Sequence, residues 1–229
     1  MTEPGPLLAR GRACDVFAVD DNLVLRRYRK KWAGRTVQDE ADVMELARAN
    51  GYPIPRVHEV TETDLVMDRI PGPTMLELIS RRPWKLRSCA RTLASLHHQL
   101  HDIPAPESWR TPLGPGNVII HLDLHPLNVI MGPDGPVVID WSNASRGDGN
   151  ADVALTFVLM MSGNPDEGAL QKFAARFGRG LFVKPFLARF VHTDVMAHLD
   201  AAAAYKLADP NMSEAEQQAI RDLLAHTPR

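Results

Sequence analysis

Three side chains able to ligate a metal or move a proton, His121, Asp123 and His125, alternate within HLDLHPLNVI at 121–130. Asn128 comes after them, and seven residues beyond the end of that stretch begins VVIDW, at 137–141, which contains Asp140. Two chemistries use such groups. The H-L-D-L-H triplet can ligate zinc, with Asp140 as a fourth ligand, as in a zinc-dependent hydrolase. Alternatively, an amide oxygen and carboxylates suit a hard cation such as Mg²⁺, which takes few protein ligands and adds phosphates. Phosphoryl transfer needs that second set: a metal against the phosphate charge and a carboxylate to orient the attacking hydroxyl. The zinc reading leaves Asn128 without a task.

The elements that must position these groups are legible nearby. NVIM (128–131) and PVVID (136–140) flank Gly132-Pro133-Asp134-Gly135, a strong turn signal. A hairpin centred on residue 134 sets Asn128 and Asp140, both six residues away, opposite each other. Asp123 then lies in the loop entering that end of the ribbon.

Upstream, the first seventy residues look strand-rich. Runs at 16–19 and 23–28 surround Asp20-Asp21-Asn22, and LLARGR before them offers a third strand. A helix is expected over about 37–50, capped by Thr36 and ended by Gly51. RVHEV and DLVMDRI form another hairpin. Pro71-Gly72-Pro73 then breaks the pattern, and the rest of the chain is mostly helical. Thr74 begins a short helix, and Leu86, Leu93, Leu96 and Leu100 recur at helical spacing in a longer one. Further helices fit 151–162, 166–178, about 185–207 and 213–226, the last with the capping box Ser213-x-x-Glu216.

The bulk numbers narrow the function classes. The chain has 229 residues, 45% hydrophobic and 24% charged, with a formal net charge of −2. That charge argues against a nucleic-acid binder working by bulk electrostatics. Two distant cysteines, Cys14 and Cys89, give no disulfide framework, and a reducing cytoplasm is the expectation. The N-terminus lacks the apolar core of a signal peptide, and the longest apolar run, VALTFVLMM at 153–161, is about half a membrane span. No membrane contact is expected.

His121-x-Asp123-x-x-x-x-Asn128 followed by Ile139-Asp140-Trp141 resembles the catalytic and metal-binding loops of the aminoglycoside phosphotransferase family. That family is a branch of the protein-kinase-like fold that includes choline kinases. The resemblance runs from about Gly11 to Ala154. It implies an α+β, two-lobed protein-kinase-like fold: a nucleotide-binding lobe over 1–70 (a small antiparallel sheet with one helix), a hinge at 71–73, and a larger helical catalytic and substrate-binding lobe over 74–229. It implies Asp123 as the catalytic aspartate, Asn128 and Asp140 as metal ligands, and His121 and His125 as loop supports. Asp152, in Gly147-Asp148-x-x-x-Asp152, resembles the aspartate that braces the catalytic loop from a helix.

In the first lobe, Leu23-Val24-Leu25-Arg26 resembles the strand carrying the phosphate-pairing lysine, with arginine in its place. Arg26 is then paired with Glu40, Glu45 being the competitor. Val24 roofs the adenine, and Met67, Asp68 and Ile70 form the strand end and hinge that bond the base. Gly11 supplies a thin glycine loop. The implied cofactors are ATP, with GTP not excluded, and Mg²⁺; the partner is a small-molecule hydroxyl acceptor.

Plainer readings stand beside these. A nucleotide-binding pseudokinase or regulatory module accounts for Arg26 and the sparse glycine loop. His97 and His101, one helical turn apart, are a metal-capable pair, yet packing explains a Leu-His helix face more simply. The segment at about 185–207, with Phe186, Phe190, His192 and Asp194, is the expected acceptor wall.

Overall fold

A computed structural model describes residues 2–11, 13–29, 36–162 and 179–227. Five strands come first: β1 (Leu7–Arg10), β2 (Cys14–Ala18), β3 (Leu23–Tyr28), β4 (Val57–Val60) and β5 (Asp64–Asp68). They form one antiparallel sheet in the order β1-β2-β3-β5-β4. Local chemistry sets its turns. The Asp20 carboxylate accepts from the backbone N–H groups of Asn22 and Leu23, at 2.7 and 2.8 Å, closing the β2–β3 hairpin. Thr61 does the same for β4–β5, accepting from Asp64 N at 2.9 Å.

Helix α1 (Val37–Ala49) crosses between β3 and β4, and Thr36 caps it in a reciprocal box with Asp39. Its buried face holds Glu40, Val43, Met44 and Ala47. Thr74 and Glu77 make the same box at α2 (Met75–Arg81). A single 3-10 turn (Pro83–Lys85) leads to α3 (Leu86–His101), whose apolar stripe is buried as its spacing predicts.

Two small ribbons come next: β6 (Val118–Ile120) with β9 (Ser145–Gly147), and β7 (Val129–Gly132) with β8 (Gly135–Val138). Helix α4 (Gly149–Ser162) is buried on nearly every side, which suits the continuous apolar run at 153–161. Packed around α3 and α4 are α5 (Arg179–Leu187), α7 (Leu199–Leu207) and α8 (Glu214–His226). The short α6 (His192–Met196) lies between α5 and α7 in sequence. The result is a two-lobed, protein-kinase-like α+β fold, a five-stranded sheet with one helix beside a larger helical lobe.

Two expectations change. The helix expected over about 185–207 is three helices, broken at 188–191 and 197–198, with Pro185 inside the first. The expected 166–178 helix lies outside the described residues. Among those described, no helix is long and apolar enough to cross a membrane.

Gly72 shows why the Pro-Gly-Pro segment is built as it is. Its φ is +134°, and a Cβ there would meet the Met131 carbonyl oxygen at 2.4 Å. The segment presses on β7, where Met131 N donates to Pro73 O at 2.8 Å. Gly72→Ala is expected to cost about 2–3 kcal/mol, combining strain and overpacking. A denaturant midpoint unchanged by this substitution would contradict the close approach.

Candidate active site

The Val129–Val138 pairing centres the β7–β8 hairpin between Pro133 and Asp134. This corrects the sequence register by half a residue. Asn128 faces Ile139, whose N–H donates to Asn128 O at 3.0 Å, and Asp140 lies one step beyond. Backbone geometry brings Asp140 back to the site: its φ is +64°, a left-handed conformation that Asp tolerates better than most residues. Trp141 then anchors the turn. It is fully buried, donates from Nε1 to Val138 O at 3.0 Å, and meets Tyr52 edge-on.

Asp123 is held by its own loop. Asn128 Nδ2 donates to both Asp123 O and Oδ2, at 2.9 and 3.0 Å. His125 Nε2 stands 3.3 Å from Asp123 Oδ1, and His125 Nδ1 accepts from Leu127 N. The Asp123 side chain nevertheless keeps 27% exposure. It is a carboxylate fixed in direction yet open to a solvent-borne molecule.

His121 is fully buried against Trp141. Its Nδ1 accepts from Asp123 N, so the neutral ring donates from Nε2 to Ile139 O at 3.2 Å. One imidazole thereby ties the 121–123 loop to the strand leading into Asp140. Beneath it, Asp152 accepts from His121 N and Leu122 N, at 3.1 and 2.8 Å, and from His101 Nε2 at 3.0 Å. These bonds fix Leu122 at φ +66°, a costly conformation for a leucine.

Both ring nitrogens of His121 are thus engaged, as are those of His125. The His121 bonds are to backbone groups of its own loop and strand, and among the described residues the H-L-D-L-H triplet is not spaced for one ion, so the zinc-hydrolase reading loses its ligands. Among the described residues, the group of three or more His, Cys, Asp or Glu side chains spaced for a metal is instead His97, His101 and Asp152.

Across from the loop, Arg26 is buried on β3 and joins three elements. Nη1 donates to Glu40 Oε1 at 2.6 Å, Nη2 to Asp140 Oδ1 at 2.7 Å, and Nε to Cys14 Sγ at 3.4 Å. Tyr28, two residues on and so on the same face, donates to Glu40 Oε2. Glu45 points elsewhere, pairing with Arg48 on the exposed side of α1. Burial would raise the Asp140 pKa, but Arg26's charge and hydrogen bond outweigh it and hold the carboxyl below the usual range. Ser142 Oγ adds a hydrogen bond to Asp140 Oδ1 at 3.0 Å.

Val24 and Met67 are cross-strand partners on β3 and β5, both buried. The Asp68 N–H donates to Arg56 O at 3.0 Å at the end of β5. The half-buried Ile70 lies two residues on. Gly11 sits in the β1–β2 turn, its N–H donating to Cys14 O and its carbonyl accepting from Arg29.

The expected acceptor wall is corrected. Phe186 is fully buried and so packs rather than lines, whereas Phe190 is half-buried and stacks on His98, and His192 and Asp194 are exposed. Ser142, Tyr28 and Cys14 were missed by sequence reasoning. For Ser142 and Tyr28 the two-residue spacing from Asp140 and Arg26 was the available signal.

An oxygen-only donor set remains. No hydrogen bond among the described residues uses Asn128 Oδ1 or Asp140 Oδ2, and the Asp140 side chain is 41% exposed. These groups fit a hard divalent cation better than a soft one.

Burial lowers the pKa of both His97 and His121 below 6.5. Folding therefore favours their neutral forms. That stability is complete above the unfolded pKa and is lost as pH falls below it. The urea midpoint is expected to drop between about pH 7 and about pH 5. A flat midpoint across that interval would contradict the buried neutral rings.

A family model described as the phosphotransferase enzyme family matches residues 6–115 and 98–190. Among solved structures, the streptomycin–ATP–APH(2")-IIa ternary complex superposes with a TM-score of 0.61 at 16% identity, covering 96% of this chain and 90% of that one. A choline/ethanolamine kinase family protein from Mesorhizobium loti gives 0.61 at 18% identity, over 98% and 89%. The aminoglycoside phosphotransferase APH(4)-Ia, in ternary complex with ADP and hygromycin B, gives 0.59 at 17% identity, over 96% and 92%. No curated protein sequence matches significantly.

Proposed function

The chain belongs to the phosphotransferase enzyme family, and on that premise we propose that it transfers the terminal phosphoryl group of ATP to a hydroxyl of a small molecule, with Mg²⁺. The observation that carries this reading is the Asp123 carboxylate, pinned by Asn128 and His125 yet partly open to solvent.

Asp123 aligns the acceptor hydroxyl. A carboxylate of ordinary acidity, pKa ~4, is a feeble base at neutral pH, so it receives the proton late along the reaction. Asn128 Oδ1 and the Asp140 carboxylate would hold Mg²⁺, which supplies neutralisation of phosphate charge. Arg26 has five N–H groups, of which three are engaged, leaving two for phosphate oxygens. Val24 and Met67 would roof the base, the Asp68 carbonyl and Ile70 N–H would bond its edge, and the 71–73 segment would act as the hinge. Gly11 would contribute backbone near the phosphates, and His121 and Asp152 keep the 121–123 loop in shape. GTP in place of ATP requires only that the same edge be read differently.

A second reading has one observation in its favour: the Arg26–Asp140 hydrogen bond already occupies Asp140 Oδ1. A nucleotide-binding module without efficient transfer would tolerate that.

Proteins described as aminoglycoside phosphotransferases and as a choline/ethanolamine kinase family member share the fold. Hydroxylated metabolites and aminoglycosides therefore form the first screen. The test is a thermal-shift screen of these compounds with a non-hydrolysable ATP analogue and Mg²⁺, followed by transfer assays with ATP and GTP. Phosphorylation of a hydroxyl by wild type that is absent from Asp140→Ala supports the enzyme. Tight nucleotide binding with no transfer to any compound supports the module.

A further inference from the structure

One buried group takes no part in the chemistry proposed for Asp123, Asn128 and Asp140. His97 has no solvent exposure, and its Nδ1 has no hydrogen-bond partner among the described residues. The cause lies in its neighbours. The Thr156 hydroxyl has one hydrogen and donates it to the Leu124 carbonyl at 2.9 Å. Its oxygen therefore accepts from His97, so His97 Nε2 carries the ring hydrogen at 3.2 Å. In neutral His97 the Nδ1 is then a bare lone pair, and it faces Asp152 Oδ2 at 3.6 Å. Two lone pairs facing each other in a dry interior call for a positive charge between them. A proton is one answer, but burial works against it, lowering the His97 pKa.

We propose that His97 Nδ1, His101 Nε2 and Asp152 Oδ2 bind a divalent transition-metal ion of the zinc class. The three atoms lie within 4.8 Å of one another. Atoms about 2.1 Å from a common tetrahedral ion stand about 3.4 Å apart. The two measured edges, 3.0 Å from His101 to Asp152 and 3.6 Å from His97 to Asp152, bracket that spacing. Two imidazoles and one carboxylate select zinc, cobalt or iron over magnesium. The His101 side chain, 13% exposed, gives the ion a way in. Gly149 makes room for that ring, since a Cβ there would meet His101 Nδ1 at 2.6 Å.

The site is separate from the Asn128 and Asp140 oxygens, but Asp152 also holds the N–H groups of His121 and Leu122. Occupancy therefore bears on the loop that carries Asp123.

Wild-type protein is stripped with chelator and titrated with Co²⁺ in excess Mg²⁺, following the visible d–d absorption. The expected result is a band saturating at one equivalent and bleached by Zn²⁺. It is lost in His97→Gln and kept in Asp140→Asn. No band, a band that survives His97→Gln, or one that vanishes in Asp140→Asn overturns the assignment. Should His97→Gln fail to fold, nitrogen–cadmium couplings in Cd²⁺-loaded wild type decide: couplings to His97 Nδ1 and His101 Nε2 support the site, and couplings to other histidines or none overturn it.

Discussion

Asp123→Asn is expected to lower the phosphoryl-transfer rate by a factor of about 10²–10⁴, with nucleotide affinity unchanged. The substitution is isosteric, and Asn128 Nδ2 keeps its bond to Asp123 O, so the loop is retained. What disappears is the charge proposed to orient the acceptor hydroxyl and take its proton. The effect belongs in kcat, because the acceptor and the nucleotide are still bound. Full activity in this variant, or a loss confined to nucleotide affinity, would place the chemistry elsewhere.

Arg26→Met is expected to cost about 3–5 kcal/mol of stability at neutral pH, the range for removing one partner of a buried ion pair. Arg26 is the shared cation for Glu40, Asp140 and the Cys14 sulfur. Glu40 carries most of the cost, because its side chain is 3% exposed, whereas Asp140 at 41% can turn to solvent. Without the guanidinium the charge that holds the Asp140 pKa down is gone, so the Asp140 share of the deficit narrows as pH falls toward the carboxylate range. Arg26→Lys keeps the charge but cannot span Glu40, Asp140 and Cys14, and it recovers part of the loss. A loss below about 1 kcal/mol in Arg26→Met would mean that the three-way junction is not maintained in solution.

Where local chemistry decided structure, the sequence was legible. Thr36, Thr74 and Ser213 each begin a helix through a capping box. The Asp20 and Thr61 turns close the two hairpins of the sheet. The spacing around 121–140 put Asp123, Asn128 and Asp140 within one pattern, and Arg26 and Glu40 were identified through the family resemblance of the strand and helix that carry them.

What escaped depends on geometry that residue types do not encode. The half-residue register at Pro133-Asp134 and the left-handed backbone of Asp140 are set by tertiary contacts, chiefly the burial of Trp141 and the Arg26 bond. Phe186 and Phe190 look the same in sequence whether they line a cleft or fill a core. His97 reads as packing, and it does pack, with Phe186 beside it. Only the direction of Thr156's single hydrogen exposes its unmet Nδ1.

The most direct test of the proposed metal and phosphate site is calorimetric titration of ATP into wild type, Asn128→Ala and Asp140→Ala, with and without Mg²⁺. A site in which Asn128 and Asp140 hold the metal against the phosphates predicts that Mg²⁺ tightens ATP binding to wild type by about tenfold or more, worth about 1.4 kcal/mol. Both variants are expected to keep the metal-free affinity and lose the Mg²⁺ enhancement. Equal affinity with and without Mg²⁺ in wild type, or an enhancement undiminished in Asp140→Ala, would contradict it.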